Sequence, residues 1–568
     1  MRVWAPDAQR VEVSAGGELF PMSGSASGWW STDVAVTGDY AFRLDGGEPL
    51  PDPRSLWQPS GVAGASRVYD QAAFEWTDHG WRGVPLPGSV IYEMHTGTFT
   101  PDGTFDAAID RLGHLVDLGV NVVEVMPVAA FPGRWGWGYD GVCLWAVHDP
   151  YGGPDGLKRL VDACHARGLG VLLDVVYNHI GPGTRLASFG PYFTNAHTTP
   201  WGPAVNLDQP GSDEVRAFIV ENALMWLRDY HFDGLRLDAV HALEDHRATH
   251  ILEELAVAVS GLSAATGRSL TLIAESDLND TRLVSSREAG GYGLDAQWDD
   301  DFHHAVHVAV TGETVGYYAD FDSMAALAKV YSRVFYHDGI WSSFRGRSHG
   351  RPVDRLRFPS YRFLAYDQDH DQIGNRAAGD RLLPEQLRVA AGLVLTSPYT
   401  PMLFMGEEWG ASTPWQYFTD HTDPELAAAV SHGRRSEFRA YGWDPSQVPD
   451  PQDPETFLRS KLSWSELDSS PHKELLSWYR SLLALRRSEP SLTDPRLSLI
   501  DVAFDEADRW IVVTRGALRV AAHFGTAAAT LPLGAVGVSV LAASGVGIAL
   551  SGSSLTMPPM SFAVVRVA

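Results

Sequence analysis

Between residues 90 and 409 one pattern recurs eight times: a short apolar run ending in polar or acidic side chains, then a stretch with helical spacing. The runs are 90–95, 120–127, 171–176, Gly234–His241, 270–275, a weaker 294–298, 363–366 and 402–409. Strands alternating with amphipathic helices predict a parallel sheet with helices outside it, and eight such units predict a closed (β/α)8 barrel. A doubly wound open sheet would place a glycine-rich phosphate loop after the first strand. That position reads His95-Thr96-Gly97-Thr98-Phe99, which disfavours a nucleotide fold.

In such a barrel, chemistry sits at the C-terminal ends of the strands. Asp174, Asn178, His179, Asp238, His241, Glu275, His370 and Asp371 all fall there. The fourth run is the most informative. Leu235 and Leu237 alternate with Arg236 and Asp238, so the guanidinium and the carboxylate point the same way. Arg236 would hold Asp238 ionised and fix its direction, although a purely structural ion pair in the barrel interior has the same pattern. Cleaving a glycosidic bond takes one protonated carboxyl and one carboxylate. Asp238 and Glu275 end neighbouring strands, where carboxyls can stand at the roughly 5–5.5 Å of a retaining mechanism. Repulsion by Asp238 and partial burial would keep Glu275 protonated, and Asp371 could bind ring hydroxyls of a distorted sugar. The rival is a metal hydrolase built on the same His and Asp residues, but neither HxH nor HExxH spacing occurs.

Two long loops are functional candidates. One contains Trp135-Gly136-Trp137-Gly138-Tyr139-Asp140, and the other runs from about Gly181 to Ser212. Aromatic rings interleaved with glycine suit stacking on sugar faces, and rigid loop packing explains Trp135 and Trp137 equally well. The flanks differ in texture. Residues 1–85 alternate in short β segments and predict an N-terminal β-sandwich resembling a carbohydrate module. Residues 86–490 hold the barrel, and 491–568 predict a C-terminal β-sandwich. Trp29, Trp30 and Trp57 fit a sugar platform but fit sandwich core or interface better. A net charge of −26 argues against nucleic acid and anionic membrane partners and is compatible with a neutral sugar. Cys143 and Cys164 form no metal or redox spacing and suit a reducing compartment. With no apolar signal segment at Met1–Pro6 and no run of about 18 apolar residues, a cytoplasmic, soluble protein is expected.

Taken together these motifs resemble the α-amylase family of glycoside hydrolases. Asp174-Val175-Val176-Tyr177-Asn178-His179, Gly234-Leu235-Arg236-Leu237-Asp238, Ile273-Ala274-Glu275 and His370-Asp371 resemble its four conserved regions in order, and Asn206-Leu207-Asp208 its fifth. Arg2-Val3-Trp4-Ala5-Pro6 is similar to the β-sandwich that precedes the barrel in branching and debranching members. Glu275–Asp280, Tyr292–Trp298 with Asp300–His304, and Met405–Trp409 with Thr413–His421 resemble one branch, whose members release trehalose from the end of maltooligosyl trehalose. The resemblance implies hydrolysis of the α-1,4 bond beside that trehalose with retention, and a pathway partner, the synthase that forms the trehalose end. It implies Asp238 as nucleophile, Glu275 as acid/base and Asp371 as transition-state stabiliser. His179, Arg236, His370, Tyr139, Asp140, His241, Asn178 and Trp137 are then the expected substrate-binding residues. Where the family carries Asn before the His-Asp of its fourth region, this chain has Asp369, whose carboxylate could raise a neighbouring pKa. No cofactor is expected, and the lack of a clear carboxylate cage argues against a metal requirement. A glycogen branching enzyme, or another α-1,4/1,6-glucan-active member, is the alternative activity. A non-catalytic glucan-binding protein is the alternative from another class, disfavoured because all three carboxylates are present.

Overall fold

The computed structural model describes residues 1–440, 444 and 446–568. Eight parallel strands close into a barrel: β1 (Ile91–Met94), β2 (Val122–Val125), β3 (Gly170–Val175), β4 (Gly234–Leu237), β5 (Thr271–Ala274), β6 (Ala296–Trp298), β7 (Phe363–Ala365) and β8 (Thr400–Phe404). β8 pairs with β1 through Met402 and Ile91, so the sheet has no free edge. All eight expected strands are present. The last one starts and ends earlier than expected. Gly406, at φ 84°, turns the chain, and Glu407–Trp409 form a short 3₁₀ helix rather than continuing the strand.

Period-two alternation divides the strand residues between two cores. Tyr92, Val123, Leu173, Leu235 and Leu272 point outward, into the apolar layer shared with the helices. Ile91, Val122, Leu172, Ile273, Leu364 and Met402 point inward and fill the lower barrel. One step further along the same inward rows stand Glu93, Glu124, Asp174 and Arg236, all buried. The barrel interior is therefore apolar at its base and charged near its mouth.

The connections after β2 and β3 carry structure of their own. In the first, Ala129–Ala130 pairs with Cys143–Val147; in the second, Phe193–Thr199 pairs with Gly202–Val205. The N-terminal β segments form a three-stranded and a five-stranded sheet, and they dock on the loop after β3. Trp4 meets Tyr192 edge-on at 5.6 Å and Phe42 meets Phe189 at 6.4 Å. Trp57 donates to Asp149 Oδ1 at 2.7 Å and Trp29 lies under Arg2, so both rings serve packing and interface roles. At the other end a five-stranded and a three-stranded sheet enclose a separate apolar core. Among the described residues no helix is long and apolar enough to cross a membrane.

Gly234 opens β4 where the strands crowd. A Cβ there would lie 2.3 Å from the Thr271 carbonyl oxygen and 2.8 Å from Leu172 Cδ2. Gly234→Ala should therefore displace β4 against β5, lower stability by about 1–3 kcal/mol and reduce activity along with it. Calorimetric melting checks the first effect, and an unchanged melting temperature would contradict the close packing.

Candidate active site

Arg236 lies at the centre of the barrel mouth with its side chain fully buried. Its Nη1 donates to Asp238 Oδ1 at 2.7 Å and to both oxygens of Asp174 at 3.0 Å. Its Nη2 lies 3.6 Å from Glu275 Oε2, and its guanidinium stacks 4.4 Å from the Trp298 ring centre. β4 and β5 run in register, Leu237 beside Ala274, so Asp238 and Glu275 leave adjacent strand ends side by side. Asn178 Nδ2 donates to the second Asp238 oxygen at 2.7 Å, which fixes that carboxylate at both ends. The chain then turns sharply. Ala239 adopts a left-handed φ of 39°, unusual for a residue with a Cβ, and the turn aims its N–H at Glu275 Oε2, 2.6 Å away.

Burial and repulsion set the protonation states. Burial first, then the charge of Asp238, push Glu275 up to about 8, with Arg236 opposing. Glu275 is thus a neutral acid at pH 7, beside a carboxylate that a cation and an amide hold in place. Burial also raises Asp174, to about 6. Such a pair, one carboxyl neutral and one held by a cation, is the equipment for acid-assisted displacement at an acetal carbon.

Asp371 stands on a short helix, His370–Gly374, with its side chain half exposed to the cleft. Asp367 and Asp369 are buried, which distinguishes the three acids of this segment. Asp369 caps the helix, accepting from Gln372 N–H at 2.6 Å, so its carboxylate is occupied in the backbone. Burial, with Glu93 repelling, carries its pKa well above the usual range.

The remaining expected residues divide into those at the mouth and those away from it. Tyr139 donates to Asp174 at 2.6 Å and stacks on His370. His179 lies 3.0 Å from the Tyr139 carbonyl, with the Trp201 ring stacked over it at 4.5 Å. His241 stands on the rim, 4.0 Å from Asp277, and Asp140 lies 3.8 Å from His421. Trp137 is buried, stacked on Trp415 and edge-on to His370, and donates to the Gln416 carbonyl. Gly374 lies against it so closely that a Cβ would fall 2.1 Å from the ring. Trp135 stacks on Phe457.

Glu93 is the residue missed by the sequence analysis. Fully buried on β1, it accepts from His370 Nδ1 at 2.5 Å and from the His370 backbone N–H at 3.0 Å. Despite burial, Glu93 and Asp371 lift His370 to about 10, so the imidazole is cationic at neutral pH. A lone carboxylate in an apolar strand was the available signal. Glu124, beside it, has no hydrogen-bond partner for either oxygen among the described residues, and burial with repulsion from Glu93 keeps it neutral.

A family model described as alpha amylase, catalytic domain, matches residues 70–189, and a domain of unknown function (DUF3459) matches 495–564. The malto-oligosyltrehalose trehalohydrolase of Arthrobacter ramosus is 57% identical over 530 residues, covering 91% of each chain. The protein of the same name from Rhizobium sp. M-11 is 54% identical, covering 99% of this chain and 97% of its own. A 1,4-alpha-glucan branching enzyme of Xanthomonas oryzae is 28% identical over 73% of this chain and 60% of its own. Among solved structures, a putative alpha amylase from Salmonella typhimurium superposes with a TM-score of 0.91 at 40% identity, covering 100% of this chain and 97% of that one.

Two substitutions check the geometry. Glu93→Gln removes the charge that holds His370 protonated, so above roughly pH 6.5 the imidazole should become neutral and kcat should fall by about 10²-fold. A kcat–pH profile identical to that of the parent enzyme would contradict this. Trp137→Ala should lower stability by about 3–5 kcal/mol, read by denaturant unfolding, because it empties a packed site.

Proposed function

The chain belongs to the malto-oligosyltrehalose trehalohydrolase family of α-amylase-type glycoside hydrolases, and we propose that it hydrolyses the α-1,4-glucosidic bond adjacent to the terminal trehalose of maltooligosyl trehalose, with retention and release of trehalose. The observation that carries this reading is the single buried guanidinium within reach of both Asp238 and Glu275, at 2.7 and 3.6 Å. Asp238 accepts from that guanidinium, while burial and the charge of Asp238 keep Glu275 protonated against its pull, so two adjacent carboxyls stand in the different states that a two-step displacement needs.

Asp238 attacks the anomeric carbon on the maltooligosyl side of the bond while Glu275 gives its proton to the departing oxygen of trehalose. The glucan remains as an ester on Asp238. Glu275, now ionised, takes a proton from water as the water attacks the same carbon; Asp238 leaves and Glu275 regains its proton. Asp371 and the cationic His370 hydrogen-bond ring hydroxyls and favour the flattened sugar of the transition state. Arg236 and Asn178 orient Asp238, while His179 with Tyr139 binds the sugar on its other side. Asp140 and His241 contact further sugar units along the rim, and Trp137 supports the site from beneath. None of these proton transfers calls for a cofactor. The substrate's 1,1-linked end must be made first, so the pathway partner is a maltooligosyl trehalose synthase, in the same cytoplasmic compartment.

Incubation with maltooligosyl trehalose should release trehalose, with the shortened glucan appearing first as the α-anomer by proton NMR. Branch points formed from amylose, with no trehalose, would replace this activity with that of a branching enzyme. Asp238→Asn and Glu275→Gln should each cut kcat by about 10²–10⁴-fold or more while sugar binding persists. Because Glu275 must be protonated and titrates at about 8, kcat/KM should fall as pH rises through that value. A rate that stays flat to pH 10 would remove Glu275 from the acid role.

A further inference from the structure

The loops after β3 and β4 bring together a cluster of titratable side chains apart from Asp238, Glu275 and Asp371. His197 lies on the first strand of the hairpin Phe193–Thr199, Asp208 follows the hairpin's second strand, and His246 lies beyond the end of β4. One ring nitrogen from each histidine and one Asp208 oxygen all lie within 4.8 Å of one another. His197 Nε2 is 2.9 Å from Asp208 Oδ2 and 3.2 Å from Oδ1. The two imidazoles face each other with centroids 4.9 Å apart, tilted by 42°.

We propose that His197, Asp208 and His246 form a binding site for a borderline divalent cation of the zinc type, which ties the hairpin after β3 to the loop after β4. Donors around such an ion, at about 2.0–2.2 Å from it, stand about 3.4 Å apart in tetrahedral geometry. The His197–Asp208 edge is already that short. The His246 side chain is 69% exposed and free to swing the remaining distance. Donor type selects the ion. Two imidazoles and one carboxylate suit zinc or its neighbours, whereas calcium takes six to eight oxygens.

The carboxylate is prepared for this role. Gln209 Nε2 donates to Asp208 Oδ1 at 2.8 Å, and the His246 backbone N–H donates to Oδ2 at 3.2 Å. These partners fix the direction of the Asp208 oxygens, as outer hydrogen bonds do for metal ligands. Glu244, 3.8 Å from His246 Nε2, adds negative charge beside the cluster, and water can complete the fourth position. For an ion to bind at His197 Nε2, that nitrogen must offer its lone pair in place of a proton. Trp201, at the hairpin tip, covers His179, so the ion would steady one wall of the cleft without touching substrate. Its role is structural, and the acid–base chemistry proceeds without it.

The test uses the full chain, stripped with a chelator and titrated with zinc alone in a calorimeter. One equivalent should bind and raise the melting temperature. Cobalt in place of zinc should give a visible d–d band. His246→Ala, at an exposed position that leaves packing intact, should weaken zinc binding by more than the roughly 10–100-fold that losing an outer partner costs, and abolish the thermal shift. Asp208→Asn should do the same. The proposal is overturned if no saturable binding occurs, or if His246→Ala binds zinc as tightly as the parent chain.

Discussion

One buried guanidinium organises the acids at the mouth of this barrel. Arg236 faces Asp174, Asp238 and Glu275 at once, and its Nε and Nη2 have no hydrogen-bond partner among the described residues. A guanidinium cannot shed its charge, so the surrounding acids must adjust to it. The carboxyls in direct contact accept its hydrogen bonds, whereas Glu275, slightly farther away, is dominated by burial and by the charge of Asp238. Asp238 and Glu275 thus differ in protonation because burial and mutual repulsion outweigh the pull of Arg236 at Glu275, whereas Asp238 accepts its hydrogen bond directly. The same arrangement makes the site strongly coupled. Removing any one of these charges changes the field on the others, and the effects of paired substitutions will not add.

The charged layer depends on the apolar one beneath it. Glu93, Glu124, Asp174 and Arg236 continue the inward rows begun by Ile91, Val122, Leu172 and Gly234. A slip of one residue in any strand would exchange its inward and outward sets, exposing a charge to the helix layer. Register is therefore specified twice, by the fit of the lower core and by the ion pairs above it. Buried ion pairs are poor sources of net stability, because desolvation offsets their attraction. Here they act on geometry, and packing around them supplies the stability.

Much of this was legible in the chain. Short apolar runs with polar ends located all eight strands, since strands of a parallel sheet buried on both faces read as near-continuous apolar runs. Adjacent strands placed Asp238 beside Glu275 for the same reason, and the Arg236–Asp238 spacing implied their ion pair. What escaped was set by distant partners. Glu93 is separated from His370 by 277 positions, and no local pattern links them. Trp137 fitted sugar stacking and loop packing equally until Gln416 and Trp415, far along the chain, were seen to enclose it. The likeness of His370-Asp371 to the family's fourth region already singled out Asp371, and the burial of Asp367 and Asp369 adds a distinction that spacing does not encode. The eighth strand's early end follows from the left-handed turn at Gly406, a conformation that the apolar run around it concealed.

The seating of the N-terminal sheets on the loop after β3 bears on how the chain is made. Trp4 and Phe42 are covered by Tyr192 and Phe189, residues that leave the ribosome long after them. Synthesis adds roughly 5–20 residues per second, so for roughly 7–40 seconds the first sheets exist with their docking face bare. That uncovered aromatic surface is where a nascent copy is most apt to bind a neighbouring one, and where a chaperone would have most reason to hold it.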